Sequence, residues 1–480
     1  MVITDFLERN ARLYGNETAL VEVNPSEERD KAITWREASL IEASPSNAPY
    51  RRDMTWKDFD RRANRVANFL LSRNVKRGTK VGILLLNCIE WLPIYFGGLK
   101  SGCIAVPLNF RYSSDEIKYC LDLADIEILV FGPEFITRMD PIQGDIPKVK
   151  LQLFVGSECP DYAENFMKLI SFCSSNVPPV QLDEEDLAAI YFSSGTTGFP
   201  KAILHKHSAL VHSCKCEQAH HGQTHDDVFL CIPPLYHTGA KMHWFGSLIT
   251  GSKAVLLRGV KPEWILRTVT EEKCTIVWLL VPWAQDILDA IESGKIDLSH
   301  HLIDQWRLLH IGAQPVPPSL VHRWLRYFPN HQYDTNYGLS ESLGPGCVHL
   351  GVENVHKVGA IGKAGYGWET KIIDENGKIC AQTILRSKIN AEQSSIEAMA
   401  DAAVAGGMPR AQAYKFAAQA VLGSAKMVLE TGLHPGELKD QVCSPGGTTI
   451  QGVRRLEQGS VRADIMDAVI AAYEKNYDLK

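Results

Sequence analysis

The chain has 480 residues, a length that predicts about three domain-sized units rather than a single core. Its 50 basic and 56 acidic residues leave a net charge of −6, which gives no electrostatic basis for binding nucleic acid. No uninterrupted apolar run approaches the roughly 18 residues of a membrane helix, so no membrane span is expected.

The amino-terminal sequence has an early acidic residue and no apolar core, so no secretion signal is predicted. Twelve cysteines stand at irregular spacings, which indicates free thiols in a reducing cytosol rather than a disulfide framework. A cytoplasmic location is the expectation.

Helices and strands alternate along the first 380 residues. Apolar spacing predicts, in chain order, a helix at 56–73, a strand at 81–86, a helix at 91–99, a strand at 103–107 and a strand ending at Phe131. Apolar segments continue this rhythm at 254–257, 275–281 and 306–311. The alternation predicts two α/β units of comparable size, each with a parallel sheet covered on both faces.

The composition changes near residue 380. Residues 396–430 and 448–476 are predicted to be helical, and residues 381–395 fit neither neighbour. The predicted domains are therefore 1–380 and 396–480, joined by a junction at 381–395.

A loop rich in Ser, Thr and Gly follows the apolar residues 187–190, in the order Tyr191-Phe-Ser-Ser-Gly-Thr-Thr-Gly-Phe-Pro-Lys-Ala. Glycines let backbone N–H groups converge, and the hydroxyls add further donors. Lys201 then supplies a positive charge for phosphate oxygens. The spacing is not that of a Walker A loop. By composition alone, a flexible surface turn explains this segment equally well.

The order Ser-Ser-Gly-Thr-Thr-Gly-x-Pro-Lys resembles the phosphate loop of the adenylate-forming superfamily, which includes the acyl-CoA synthetases. Further segments agree in order and spacing: Pro-Pro-Leu-Tyr-His-Thr-Gly at 233–239, Gly-Ala-Gln-Pro at 312–315, Asn-Tyr-Gly-Leu-Ser-Glu at 336–341 and a glycine segment at 359–367. The resemblance covers roughly residues 1–380. It implies an α/β fold of two layered subdomains with an incomplete β-barrel element, followed here by an all-helical tail.

The resemblance also implies a two-step reaction that uses ATP, Mg²⁺ and coenzyme A. A carboxylate attacks the α-phosphate of ATP, giving an acyl-adenylate and pyrophosphate, and coenzyme A then takes the acyl group. Such chemistry needs charge neutralisation on the triphosphate and close positioning of two anions.

Roles follow residue by residue from the resemblance. The β- and γ-phosphates would be held by Ser193, Ser194, Gly195, Thr196, Thr197, Gly198 and Lys201. The adenine site would comprise Gly312, Ala313, Gln314, Asn336, Tyr337 and Gly338, with the Tyr337 ring stacked on the base. Ser340 and Glu341 would hold the α-phosphate and Mg²⁺, and His237 and Trp244 would line the acyl pocket. A loop histidine, a solvated turn residue and a core tryptophan are the alternative interpretations of His237, Glu341 and Trp244.

The pattern of this family is not continued after Cys380, where neither its Tyr-Arg-Thr-Gly-Asp stretch nor its lid with a catalytic lysine is found. Residues 396–410, 418–430 and 434–440 instead resemble the C-terminal domain of pyrroline-5-carboxylate reductase. The sequence Ser444-Pro-Gly-Gly-Thr-Thr-Ile resembles that family's signature loop. The resemblance implies an interlocked dimer and a substrate carboxylate held by the loop positions Ser444, Gly446, Gly447 and Thr449. Without the family, the loop is predicted to be a Thr-capped helix N-terminus, which is a ready anion site.

No Gly-x-Gly-x-x-Gly fingerprint of dinucleotide binding follows a strand, so the tail is predicted to be a dimerisation module without its NADPH domain. Three functions remain as alternatives: an acid–thiol ligase impaired by loss of its lid, a non-catalytic dimeric fusion, and a reductase fragment. A natural fusion, an assembly or frame error, and a deliberate chimera all explain such a chain, and the abrupt loss of one pattern favours the last two. The expected partners are a small carboxylic acid of undetermined type and a second copy of the chain, bound through residues 396–480.

One histidine- and cysteine-rich segment allows two interpretations. It comprises His205, His207, His212, Cys214, Cys216, His220 and His221. A metal site is one interpretation, but the spacing fits neither a zinc ribbon nor a finger, so a polar helix after a loop is favoured.

Overall fold

The computed structural model describes residues 1–27, 49–193, 200–350, 360–371, 388–459 and 461. The chain forms two compact units, Met1–Thr370 and Lys371–Lys480.

The first unit alternates helices and strands, as the hydrophobic pattern predicts. Its helices are α1 (Thr4–Leu13), α2 (Trp56–Ser72), α3 (Trp91–Lys100), α4 (Ser114–Leu123), α5 (Ile136–Met139), α6 (Phe166–Ser171), α7 (His207–His221), α8 (Thr238–Thr250), α9 (Pro262–Glu272), α10 (Val281–Glu292) and α11 (Pro318–Tyr327). Its strands are β1 (Thr18–Val23), β2 (Arg51–Thr55), β3 (Lys80–Leu84), β4 (Ile104–Pro107), β5 (Ile126–Phe131), β6 (Leu151–Phe154), β7 (Glu164–Asn165), β8 (Leu187–Ser193), β9 (Lys201–Lys206), β10 (Val228–Cys231), β11 (Lys253–Leu257), β12 (Ile276–Leu280), β13 (Leu308–Gly312), β14 (Gln332–Tyr337), β15 (Cys347–Leu350) and β16 (Lys363–Ala364). The predicted helices at 56–73 and 91–99 are α2 and α3.

The strands form two sheets of similar size. One has seven strands in the order β7-β6-β5-β3-β4-β8-β9, and the other has nine in the order β16-β15-β14-β13-β12-β10-β11-β1-β2. Most neighbours are parallel, but β8–β9, β14–β15, β15–β16 and β1–β2 are antiparallel. The sheets do not follow chain order, because β1 pairs with β11 and so joins the second sheet from the amino terminus.

The two sheets and the helices on their faces form five layers, which are held together by three apolar clusters. The largest cluster lies between the sheets and contains buried residues of α1, α2, α3, α7 and α8 together with strand residues of both sheets. A second cluster packs α9, α10 and α11 on the other face of the nine-stranded sheet. A third covers the outer face of the seven-stranded sheet with α4 and the turns after β5. Because both faces of each sheet are buried, the parallel strands appear in the sequence as continuous apolar runs.

The end of the first unit and the second unit differ from the alternating pattern. Among the described residues no closed barrel forms, and the two-residue strand β16 is the outer strand of the nine-stranded sheet. The second unit is helical, with α12 (Lys388–Ala405), α13 (Arg410–Thr431), α14 (Pro435–Val442) and α15 (Thr448–Gln458). The predicted helical stretch 396–430 is divided by a turn, where Gly407 has φ +95°.

Two further predictions concern cysteines and membranes. The eleven described cysteines are free thiols. Across the described helices, none combines the length and apolarity that crossing a bilayer requires.

Candidate active site

The site lies at the carboxyl edge of the parallel strands β10, β12, β13 and β14, where open α/β sheets bind their ligands. Gly312 ends β13 and Tyr337 ends β14, and the segment with His237 connects β10 to α8. The predicted adenine and acyl segments therefore come together because their strands are neighbours in one sheet.

A hairpin of the other sheet carries the predicted phosphate loop. Strands β8 and β9 pair antiparallel, and the pair Ser193↔Lys201 closes the loop between them. Lys201 is exposed at the first position of β9, as a cation that meets phosphate oxygens must be. The loop residues Ser194, Gly195, Thr196, Thr197 and Gly198 lie outside the described residues.

Ser340 is the point at which three of these segments meet. Its carbonyl oxygen accepts a hydrogen bond of 2.9 Å from Nε2 of His205, a residue of β9. Its hydroxyl lies 3.4 Å from Oγ1 of Thr238, the first residue of α8. The β8–β9 hairpin, α8 and the segment after β14 are thereby connected around one residue.

His205 was not predicted to belong to the active site. Desolvation by burial lowers its pKa, against the opposing effects of the Ser340 carbonyl and the Glu341 charge. A neutral ring keeps the N–H that donates to Ser340. The sequence offers no signal for this contact, because the two residues are 135 positions apart.

The predicted adenine residues form a strand-end wall. The register His310↔Asp334 places Gly312 level with Asn336 two residues further along the parallel strands. The Nδ2 of Asn336 is buried and has no hydrogen-bond partner among the described residues, so it is a donor still available to a ligand. Tyr337 is 47% exposed, which leaves its ring accessible for stacking.

Backbone geometry next to this wall restricts substitution. A side chain at Gly312 would place its Cβ 2.8 Å from Nε2 of His310, and one at Gly338 would place it 2.6 Å from the Gly344 carbonyl oxygen. Ala313 adopts a left-handed φ of +67°, and both it and Gln314 are exposed. The strand end therefore presents backbone rather than side chains at Gly312 and Gly338.

Glu341 is the residue that the sequence predicts to hold Mg²⁺. Its side chain is exposed next to Ser340, and it forms no hydrogen bond or ion pair with the described residues. A free carboxylate beside a hydroxyl is an oxygen donor set of the kind Mg²⁺ prefers. The residues present therefore fit the predicted magnesium position.

His237, which is predicted to line the acyl pocket, is the N-cap of α8. Its Nδ1 accepts a hydrogen bond of 3.1 Å from the backbone N–H of Gly239, and so caps α8. Partial desolvation, with His243 and Lys241 nearby, lowers the pKa of its imidazole. Lowering of the pKa favours a neutral His237 at the entrance to α8.

The described sequence and fold match proteins of known families. Residues 7–383 match the family of AMP-binding enzymes. The chain belongs to the AMP-binding enzyme family. Residues 393–479 match the dimerisation region of pyrroline-5-carboxylate reductase.

Each individual relative of this AMP-binding chain matches only one of these two regions. The acyl-CoA ligase sidI of Aspergillus fumigatus is 27% identical over 353 residues, covering 68% of this chain and 58% of the relative. The pyrroline-5-carboxylate reductase of Escherichia coli is 71% identical over 84 residues, covering 18% of this chain and 31% of the reductase. The chain thus spans less than two thirds of each relative's length.

Solved structures show the fold of the first unit. The N-terminal domain of FACL13 from Mycobacterium tuberculosis superimposes with a TM-score of 0.67 at 21% identity, covering 79% of this chain and 86% of that domain. The anthranilate CoA ligase AuaEII, solved with anthranoyl-AMP, has the same TM-score at 24% identity, covering 79% of this chain and 67% of the ligase. The α/β fold predicted for the first 380 residues is confirmed.

Two predicted residues of the AMP-binding unit differ in their surroundings. Trp244 lies about two turns beyond the cap of α8. It is 0% exposed and packs against Phe59 and Phe96 in the core. Its surroundings are those of a core residue, whereas His237 stands at the helix entrance. The acyl-site prediction therefore depends on His237.

A buried lysine that the sequence did not indicate contacts the β8–β9 hairpin. Lys241 of α8 donates to the hydroxyl of Tyr191 at 3.0 Å, and that hydroxyl lies 2.9 Å from the hydroxyl of Tyr95. Its Nζ also lies 4.5 Å or less from the centroids of the Trp91, Tyr95 and Tyr191 rings. Because Tyr191 precedes Ser193 by two residues on β8, this contact joins α8 to the strand that leads into the loop.

The reductase-like loop of the second unit lies at the N-terminus of α15. Gly446 has φ +70°, and the N–H of Gly447 donates to the Ser444 carbonyl oxygen at 3.0 Å. The predicted Thr cap is wrong, because the capping position is occupied by Gly447, and no side chain caps the helix there. Ser444 and Thr449 are exposed.

Proposed function

We propose that this chain is an AMP-forming acid–thiol ligase of the acyl-CoA synthetase type. The observation that carries the proposal is the meeting of β9, α8 and the segment after β14 at Ser340. Each of the three carries a residue suited to one part of the reaction: a cation at Lys201, a histidine at His237 and a carboxylate at Glu341.

In the proposed first step, a carboxylate oxygen attacks the α-phosphorus of ATP, the bond to the β-phosphate breaks, and pyrophosphate leaves. In the second, the coenzyme A thiol attacks the acyl carbonyl and displaces AMP. Lys201 and the hairpin loop would neutralise the leaving pyrophosphate, and Asn336 and Tyr337 would orient the adenine. A Mg²⁺ ion held by Glu341 would offset the charge of the phosphate oxygens.

We expect turnover to be slow. The match to AMP-binding enzymes stops at residue 383, and a different family matches from residue 393. The lid lysine and the ribose-binding aspartate that the resemblance implies have no counterpart in this sequence. Adenylation and thioester formation would then depend on the first unit alone.

The test is pyrophosphate release with ATP, Mg²⁺ and a panel of aliphatic, alicyclic and aromatic acids. Lys201→Ala should lower an acid-dependent rate by about ten- to a hundredfold, which corresponds to loss of a charge-assisted hydrogen bond. Lys206→Ala is the matched control, because Lys206 is exposed on the same strand but pairs with Glu185 at 2.6 Å.

The outcomes separate the alternatives. Acid-dependent release that falls only in Lys201→Ala supports the ligase, and release that is equal in both variants contradicts it. Detectable ATP binding without release would indicate a ligase scaffold that needs its lid. Absence of both would leave assembly as the function of the chain.

A second candidate function, dimeric assembly, has its own observation. Helix α13 packs its small residues Ala413 and Ala417 against Ala400 of α12, whereas its large apolar residues point outward. Phe416 is 63% exposed and Leu429 is 83% exposed. Large exposed apolar groups on one helix are typical of a protein–protein interface, which agrees with the matched dimerisation region.

A further inference from the structure

A compact group of histidines and carboxylates lies buried in the AMP-binding unit, apart from the residues assigned to the reaction. Its members come from α7, α8, β13 and β14, and each is 5% exposed or less: Glu217, His220, His221, His243, His310 and Asp334. Only two of them belong to the histidine- and cysteine-rich segment that the sequence singled out. The others approach through the fold, since β13 and β14 pair with His310 opposite Asp334.

Asp334 is the centre of one part of the group. Its Oδ1 lies 2.7 Å from Nε2 of His220, its Oδ2 lies 2.7 Å from Nε2 of His221, and Nδ1 of His310 also contacts Oδ2. One ligand atom from each of these four residues lies within 4.8 Å of every other. Three imidazole nitrogens and one carboxylate form the donor set of a four-coordinate zinc site.

Glu217 lies on the side of His221 that faces away from Asp334. Its Oε1 lies 2.6 Å from Nδ1 of His221 and 2.6 Å from Nδ1 of His243. His221 therefore directs one nitrogen to Glu217 and the other towards Asp334. In metal sites, a carboxylate commonly lies against the second nitrogen of a histidine ligand, where it fixes the ring and its tautomer.

The two buried carboxylates of the group are a further reason to place a cation here. Two carboxylates are fully buried, and within the described residues every ion pair they make is to a histidine. Buried charges are costly unless they are paired or bind a metal. In addition, Nδ1 of His220 and Oε2 of Glu217 have no hydrogen-bond partner among the described residues, so a network of hydrogen bonds alone leaves polar atoms unsatisfied.

We propose that His220, His221, His310 and Asp334 bind one zinc ion in a closed structural site, with Glu217 holding His221 from behind. Imidazole and carboxylate ligands without sulfur suit Zn²⁺ among the common divalent ions. For metal–nitrogen distances of 2.0–2.1 Å, ligand atoms stand about 3.3 Å apart, so the rings would move back by about half an ångström from their present contacts. The ion would connect α7 to β13 and β14, two residues before Gly312 and Asn336.

The first test measures metal in the full 480-residue chain, expressed with a purification tag that contains no histidine. Mass spectrometry of the eluted metal should give about one zinc per chain after equilibration with zinc and removal of the excess. Stripping with a chelator should lower the thermal midpoint by at least about 5 °C, and zinc should restore it. Less than a tenth of an equivalent, with no change in midpoint, would overturn the proposal.

Two variants locate the ion. Asp334→Asn keeps the shape of the side chain and removes its charge, and His220→Gln removes one ligand. Each should lower zinc affinity by at least about tenfold. His322→Gln is the control, because His322 is exposed on α11 and lies outside the group. Zinc retained at wild-type affinity in both variants would place the ion elsewhere and contradict the assignment.

A measurement on the unaltered chain decides the question even where a variant fails to fold. Cobalt(II) in place of zinc should give the visible bands of a tetrahedral site with nitrogen and oxygen ligands. A strong thiolate-to-cobalt band would show that cysteines bind the ion and would overturn the proposal. The readout requires no ligase activity, so its result is independent of the proposed reaction.

Discussion

His205 joins two parts of the candidate active site through a single ring, and its role is one of positioning. Replacing it by alanine removes the 2.9 Å hydrogen bond to the Ser340 carbonyl and frees the segment that carries Glu341. We expect His205→Ala to slow pyrophosphate release about tenfold, equivalent to about 1.4 kcal/mol, a typical value for one lost hydrogen bond.

The conservative variant distinguishes positioning from general destabilisation. His205→Gln retains a side-chain N–H donor and should recover part of the rate, whereas His322→Ala should leave the rate unchanged. A rate equal to wild type in His205→Ala, with the protein folded, would show that the contact with Ser340 has no part in the reaction.

Lys241 permits a separate test of a buried ionisable group. Desolvation lowers its pKa well below the usual value for lysine, and no carboxylate pairs with it among the described residues. Lys241→Met keeps the straight chain and its volume and removes the ionisable group, so we expect unchanged or higher thermal stability. Lys241→Ala should lower the free energy of unfolding by about 2–4 kcal/mol, because it leaves a cavity among aromatic rings.

The pH dependence of these variants follows from the sign of the shift. A lysine whose pKa is lower in the folded state binds fewer protons there than when unfolded, so stability rises with pH until the unfolded pKa near 10.4 is passed. Wild type should therefore gain stability relative to Lys241→Met between pH 7 and 10. Equal slopes for the two proteins, measured by thermal unfolding, would contradict a neutral Lys241.

At the scale of elements, the loop between α11 and β14 contains a histidine that opposes protonation. His331 packs against the rings of Trp306 and Phe328 and accepts a hydrogen bond of 3.2 Å from the indole N–H of Trp324. Burial lowers its pKa to about 3. The unfolded chain binds a proton near pH 6.5, so stability is lost as the pH falls below that value and continues to fall towards pH 3.

The size of this effect can be measured. Between pH 6.5 and 5 the contribution of His331 is about 2 kcal/mol, from about 1.4 kcal/mol per pH unit. His331→Phe keeps a ring between the neighbouring aromatic side chains but does not titrate, so its stability should fall less over the same range. Denaturant unfolding measures the stability of both proteins at each pH. Equal losses of unfolding free energy in wild type and variant would show that His331 is protonated without cost.

The elements also show what sequence predicts and what it leaves out. The apolar spacing predicted α2, α3 and the strand β3, because the period of apolar residues along a helix or strand reflects which of its faces is buried. The pairing of β1 with β11 was not predictable, because strand order depends on contacts over more than 200 residues. Family resemblance predicts roles for Ser340 and Asn336, and these roles stay predictions. The contacts of His205, Lys241 and the group around Asp334 depend on the fold, which brings distant residues together. Trp244 was placed near the acyl site by its position in the chain, whereas its burial depends on α2 and α3.

At the scale of the whole molecule, the matched dimerisation region predicts that two chains associate through the second unit. Phe416 and Leu429 are large apolar side chains of α13 that are exposed, and burying each in an interface contributes about 1.5–3 kcal/mol. A glutamate at either position would place a charge in that interface. We expect the double variant Phe416→Glu, Leu429→Glu to be monomeric under conditions in which wild type has twice the mass of the chain.

Light scattering after gel filtration measures this directly on the full-length protein. Lys415→Glu is the matched control, because Lys415 is exposed on the same helix beside Phe416 and already carries a charge, so it should remain dimeric. If the double variant still has the mass of a dimer, the interface lies on a surface that does not include Phe416 and Leu429. A monomeric wild type at tens of micromolar would mean that the exposed apolar side chains of α13 do not bind a second copy. In the dimeric case, the pyrophosphate assay on the monomeric variant shows whether the AMP-binding unit acts independently, and we expect the rate per chain to be unchanged because every residue assigned to the reaction belongs to Met1–Thr370.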